Sequence, residues 1–125
     1  MEDRKTLALI AHDGKKADMV AFAMRHKAVL ERYNLIATST TGKLLEEKCG
    51  LDVVRMLSGP IGGDAQIAAQ VAEGKIAAVF FFVDPLAKQA HDPDIQSLLR
   101  VCNVHNVPLA TNSATAGFII SVQAL

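Results

Sequence analysis

The chain has 125 residues, 50% of them hydrophobic, and its 13 Lys+Arg are matched by 13 Asp+Glu. That length is expected to form one domain over residues 1–125 with a core that needs no staples. A formal charge of +0 removes any global field that would draw the chain to nucleic acid or an anionic membrane, so neither is expected as a partner. The balance is uneven: residues 1–60 carry ten basic and eight acidic side chains (+2), residues 61–125 carry three and five (−2), and no side chain after Arg100 is charged.

The first strand is expected at Thr6–Ala11 (TLALIA). Its apolar run is too short for a signal peptide or a membrane span, which places the protein in the cytoplasm. After HDGKK comes a helix whose apolar face, Met19, Phe22, Ala23, His26, Leu30 and Tyr33, follows the 3.6-residue period. His26 on that face reads as a hydrogen-bonded core residue. Asn34–Thr38 is the second strand, and TTGKLLEEKCG a short helix capped by Gly50. Asp52–Leu57 is a weaker third strand. SGPIGGD leads into a helix with Ile67, Ala68, Val71 and Ala72 on one side, ended by Gly74. Ala77–Val83 (AAVFFFV) lacks alternation, as a central parallel strand buried on both faces does. The next helix carries Ile95, Leu98, Leu99 and Cys102 inward, with Asp92 as its N-cap and Pro93 as its first residue. Val107–Thr111 is the fifth strand and Ser113–Leu125 the last helix, whose lack of charge predicts that it packs on the core and partly covers a neighbouring subunit. Cys49 and Cys102 form no CxxC or metal-ligand pattern and read as buried free thiols. His105, between a helix and a strand, reads as a surface or packing residue.

This β-α alternation with short connections predicts an α/β fold: a doubly wound, three-layer domain around a five-stranded parallel sheet. Ligands of such sheets bind outside the carboxyl ends of the strands, where helix N-termini present unpaired N–H groups. The residues just past each strand are therefore informative: His12, Asp13 and Lys16 after the first; Thr38, Ser39, Thr40, Thr41 and Gly42 after the second; Ser58, Gly59, Gly62, Gly63 and Asp64 after the third; and Asp84, then His91, Asp92 and Asp94, after the fourth. Hydroxyls and N–H groups at a helix start, a glycine-rich loop and one lysine suit a small phosphorylated or otherwise anionic metabolite. Neither GxxxxGK[ST] nor GxGxxG is present. Four carboxylates near two histidines exceed what binding an anion needs, and that surplus suggests proton transfer. No HxH, HExxH or acidic ladder calls for a metal. Structural readings stand beside these: the Thr/Ser cluster as a helix cap, Asp84 before Pro85 as a strand terminator, and Asp64 as either an N-cap or a base aimed into the site.

With IAHDGKK, ATSTTG, SGPIGGDAQI, FFVDPLAKQAHDPD and NVPLATN in view, the sequence resembles the methylglyoxal synthase family over about Leu7 to Phe118. A related regulatory domain of carbamoyl phosphate synthetase shares part of the threonine motif but lacks the GGD and HDPD pair. The resemblance implies sheet order 3-2-1-4-5, a homohexamer, and conversion of dihydroxyacetone phosphate to methylglyoxal and inorganic phosphate with no metal or organic cofactor. Inorganic phosphate is then product and candidate inhibitor. It also implies that Asp64 moves the proton, with His91 and Asp94 in the catalytic group. His12, Lys16, Thr38, Ser39, Thr40, Thr41, Ser58, Gly59 and His91 would bind substrate, with Asp13 and Asp84 as supporting carboxylates. Where many relatives carry glycine after the first threonine, this chain has Ser39, which still has an N–H to donate.

Overall fold

The computed structural model describes residues 4–58, 61–86 and 92–121, with the backbone alone for residues 92–95. Strand β1 (Thr6–Ala11) runs into a 3-10 turn (Asp13–Lys15) and helix α1 (Lys16–Arg25), followed by the single turn α2 (Lys27–Leu30). Then come β2 (Asn34–Ala37), α3 (Ser39–Cys49), β3 (Val53–Arg55), α4 (Gly63–Ala72), β4 (Ala78–Phe82), α5 (Asp92–Val104), β5 (Leu109–Ala110) and α6 (Ser113–Ser121). All strand pairs are parallel, in the order β3-β2-β1-β4-β5. The strand order implied by the family resemblance is therefore the order observed.

Alternation along the strands sorts the core into two layers. Leu7, Leu9 and Ala11 of β1 face one way with Phe80 and Phe82 of β4, and α1, α3 and α6 cover them through Met19, Phe22, Leu45, Ala116 and Ile120. Ala8 and Ile10 face the other way with Val79 and Phe81, beneath Ile67 and Val71 of α4 and Leu98 and Cys102 of α5. Phe22 sets its ring edge to face on Phe80 and Phe82, at centroid distances of 5.7 and 5.5 Å. All five residues of β4 are buried, as the unalternated AVFFF run requires of a strand covered on both sides.

Several elements depart from the sequence reading. The long helix after β1 divides at His26, whose carbonyl accepts from both Val29 and Leu30 and so restarts the turn. Tyr33 falls beyond α2. The His26 ring is half-buried against Phe22, 4.7 Å between centroids, and is not the hydrogen-bonded core residue expected. Leu99 is 42% exposed because Leu98 and Cys102, four residues apart, already define the inward face of α5. Ala72, in the last turn of α4, is likewise exposed. The strands are shorter than expected at both sheet edges, although Met56 N–H still bonds to Ala37 O and Val83 N–H to Thr111 O. Gly50 closes α3 in the left-handed region (φ 67°), with Leu51 N–H reaching back to Leu45 O. Helix α6 packs Ala116 and Ile120 inward and presents Phe118 at 73% exposure; the end of the expected helix lies outside the described residues. No helix is long and apolar enough to cross a membrane among the described residues.

Both cysteines are buried free thiols, as the sequence reading expects. Burial pushes the Cys102 thiol up to about 11 from 9.0 and raises Cys49 less, Lys27 pulling the latter back. A thiol that keeps its proton longer when folded supports folding fully below the ordinary thiol range. That support is lost as the pH climbs through the window from 9.0 to about 11, because the unfolded chain ionises first. Urea midpoints measured from pH 7 to 11 should therefore fall more steeply in the parent than in Cys102→Ala; parallel alkaline limbs would show that the burial of this thiol has no such effect.

Candidate active site

Among the described residues, four polar or charged side chains are buried: His12 (5% exposed), Thr38 (5%), Thr41 (2%) and Asp64 (2%). Hiding such groups from water costs free energy that an apolar residue would not incur. All four stand at the carboxyl rim of the sheet, directly after β1, directly after β2, in the first turn of α3 and in the first turn of α4.

The order of the sheet reverses between β1 and β4, which opens a crevice beyond their ends. His12 sits there. Its backbone N–H donates to Phe82 O (3.1 Å), and its Nδ1 accepts from the backbone N–H of Asp84 (2.9 Å). A ring nitrogen that accepts is unprotonated, so this geometry describes a neutral imidazole with its proton on Nε2, a fixed donor. Phe81 meets the ring edge to face at 5.3 Å. Asp84 thus supports His12 through its main chain, while its carboxylate Oδ1 accepts from Leu86 N–H (3.1 Å) and holds the following turn. Lys16 folds back over the end of β1, donating to Ala11 O (3.1 Å) and to Asp13 Oδ1 (2.7 Å). The Asp13 side chain is 97% exposed, so water screens that ion pair.

Thr38 is the N-cap residue of α3, in extended backbone conformation, yet its side chain makes no capping bond. Its hydroxyl instead lies 3.4 Å from that of Thr41, a long and weak hydrogen bond. The structural alternative for the threonine run, side-chain capping, is therefore not what α3 uses. Of the first four N–H groups of the helix, that of Ser39 donates to Leu57 O (3.3 Å) and that of Gly42 to Thr38 O (2.8 Å). Helix geometry leaves those of Thr40 and Thr41 with no intrahelical acceptor, a place suited to an anion.

The N-cap reading of Asp64 does not hold either. Gly62 is the N-cap of α4, at φ 114°, a conformation open to glycine, and Asp64 is the second helical residue. Gly63 brings α4 against the main chain: its N–H donates to Ser58 O (2.9 Å), and a Cβ there would lie on the carbonyl oxygen of Leu57. The segment Leu57–Ser58 therefore receives the N-termini of both α3 and α4. His91 and Gly59 lie outside the described residues, as do the side chains of Asp92, Pro93 and Asp94, which the backbone places at the start of α5. No group of three or more His, Cys, Asp or Glu among the described residues could hold a metal ion.

A family model described as the MGS-like domain matches residues 18–111. A curated relative, a methylglyoxal synthase of Thermus thermophilus, is 62% identical over 94% of this chain and 93% of its own length. That of Clostridium botulinum (strain Alaska E43) is 58% identical over 91% and 96%. The crystal structure of methylglyoxal synthase from Elizabethkingia anophelis NUHP1 superposes with a TM-score of 0.90 at 51% identity, covering 94% of this chain and 78% of that one. The chain belongs to the methylglyoxal synthase family, and is thereby an enzyme. The resemblance carried by SGPIGGD and ATSTTG thus led to the right family.

Within this family fold, the structure adds one residue that sequence reasoning passed over. Gln66 Oε1 accepts from the backbone N–H of Leu57 at 2.7 Å. No motif or spacing announces a side-chain to backbone bond across nine residues, so only the fold reveals it. The tight seat of Gly63 has a measurable consequence. Gly63→Ala should destabilise the protein by about 1–3 kcal/mol, since the obstructing atoms are backbone. Gly117→Ala on α6, where an added Cβ meets nothing within 4 Å, should gain up to about 1 kcal/mol from helix propensity. Denaturant midpoints decide this, and equal stability of the two variants would refute the close approach at Gly63.

Proposed function

We propose that this enzyme converts dihydroxyacetone phosphate to methylglyoxal and inorganic phosphate through an enediolate, with Asp64 as general base. The observation that carries this reading is the burial of the Asp64 carboxylate in the first turn of α4, on the same carboxyl rim of the sheet as the threonine-lined N-terminus of α3. Anion binding alone gives no reason to bury an acid there. Proton abstraction from carbon needs a positioned base, and general-base catalysis contributes on the order of 10² to 10⁴-fold.

In this mechanism Asp64 takes a proton from the hydroxymethyl carbon, and the electron pair moves onto the carbonyl oxygen as the enediolate forms. The C=C pair of the enediolate then shifts toward the carbon that bears the phosphate and breaks its C–O bond, while the hydroxyl on the deprotonated carbon becomes the aldehyde carbonyl and passes its proton to the departing phosphate. The enol so released takes up a proton on the carbon that lost phosphate and becomes methylglyoxal. His91 is assigned as donor to the enediolate oxygen, in the way a neutral imidazole polarises a carbonyl in triosephosphate isomerase, with Asp94 alongside it in the catalytic group. His12, a neutral donor, and Gly59 bind substrate. Thr38, Thr40, Thr41, Lys16 and Ser58 hold the phosphate with its C–O bond out of the enediolate plane and stabilise the leaving charge. Ser39 serves through its place in the turn, its N–H being given to Leu57. Asp13 acts as a supporting carboxylate through Lys16, whereas Asp84 supports His12 through its backbone N–H and spends its carboxylate on the turn at Leu86. No cofactor or metal enters this scheme. A cytoplasmic homohexamer, with inorganic phosphate as product and inhibitor, completes the reading; the exposed Phe118 on the uncharged α6 supports self-association.

Incubation with dihydroxyacetone phosphate and trapping of the dicarbonyl, with and without EDTA, tests the proposal. Methylglyoxal is expected in both arms, and Asp64→Asn should lower kcat by about 10² to 10⁴-fold. Absence of product, with saturable phosphometabolite binding, would instead identify a regulatory module. Chelator-sensitive release of dihydroxyacetone would identify phosphate ester hydrolysis.

A further inference from the structure

Base and phosphate seat belong to different helices, and the described contacts show what joins them. Leu57 O accepts from Ser39 N–H at the start of α3, and Ser58 O accepts from Gly63 N–H at the start of α4, next to Asp64. These two carbonyls belong to adjacent residues, so the placement of this one segment sets the relation between the threonine N-terminus and the carboxylate. Beyond Arg55 the edge strand β3 has ended, and Leu57 and Ser58 are not part of the sheet ladder. What holds Leu57 from the other side is the Gln66 carboxamide, 2.7 Å from its N–H, projecting from the α4 turn that also carries Asp64.

We propose that Gln66 is a positioning residue for the elimination: by holding Leu57 N–H it clamps the α3 N-terminus to α4 at the separation the reaction needs. The inference rests on the activity proposed above. A long, exposed side chain in a helix has no packing reason to be glutamine here; the role asked of it is that of a hydrogen-bond acceptor in a fixed place. Glutamate at this position keeps an acceptor oxygen on the same stem. Leucine keeps the helix propensity and much of the volume and removes the acceptor.

The test compares the full chain with Gln66→Glu, Gln66→Leu and Gln66→Ala, using dihydroxyacetone phosphate for steady-state kinetics and amide hydrogen exchange of Leu57 and Ser39 as a readout independent of turnover. In Gln66→Leu and Gln66→Ala both amides should exchange faster than in the parent, and kcat should fall roughly 10- to 100-fold, the scale of a misplacement near 1 Å. KM should change less, since the threonine turn itself is intact. Gln66→Glu should restore kcat and protection. A merely structural glutamine would lower the melting temperature and leave kcat of the folded enzyme unchanged, and that result overturns the proposal. So does a Leu57 amide that exchanges no faster in Gln66→Leu, whether or not the chain turns over substrate. A parent that forms no methylglyoxal refutes the activity proposed above, and the exchange comparison then still judges the clamp.

Discussion

The molecule depends on one constraint, the pairing of β1 along both of its edges with parallel neighbours that lie on opposite sides of it in the sheet. Because β2 follows on one side and β4 on the other, the connections diverge, and the ends of β1 and β4 are left with a crevice that no crossover fills. Every strand then ends on the same rim, and every following helix begins there. Hydrophobic burial fixes this register: shifting β1 by one residue would exchange Leu7 and Leu9 for Ala8 and Ile10 between layers whose partners, Phe80 and Phe81, are already committed to opposite faces. The rim is thus held by core packing far from any chemistry, which is the condition for keeping buried polar groups in fixed positions.

On the proposed reading, that arrangement lets a chain of zero net charge bind an anion. The attraction would be local. It would come from N–H groups at the start of α3, the folded-back Lys16 and the neutral donor His12, and none of these needs a field over the whole surface. Lys16 is held by Ala11 O and Asp13, so it acts as a fixed point charge; a guanidinium fork would have required a different seat. Asp84 shows a comparable economy, one residue supplying an N–H to His12 and a carboxylate to its own turn.

The strands and the rim were legible in the sequence because they rest on period and order. TLALIA and AAVFFFV announce buried parallel strands, and the glycines, hydroxyls and acids come soon after each strand. The features that were not legible depend on local hydrogen bonds between residues distant in the chain. Nothing in the apolar period of the first helix marks His26 as the point where it restarts, since Phe22 and Leu30 keep the same face on either side. Leu99 looked inward because adjacent leucines satisfy a helical stripe equally well; only the packing of α5 against α4 chooses between its edges. Asp64 was ambiguous for a similar reason: a helix start two residues later would make the same carboxylate a cap, and the left-handed Gly62 at the N-cap removes that reading.

The same local bonds bear on how the proposed reaction would be partitioned. An enediolate of a triose phosphate can be reprotonated or can expel its phosphate, and the carbon chemistry up to that point is common to both outcomes. Expulsion requires the C–O bond to stand out of the enediolate plane, a condition on the angle between phosphate seat and base rather than on the identity of either. In this fold the proposed seat is the N-terminal turn of α3, the proposed base is in the first turn of α4, and both turns hang on the carbonyls of Leu57 and Ser58. A backbone oxygen cannot swing as a side chain does, and Gly63 leaves no room for α4 to slide along it. On the proposed reading, elimination is therefore selected by main-chain geometry, with the side chains supplying charge and protons to an angle already set.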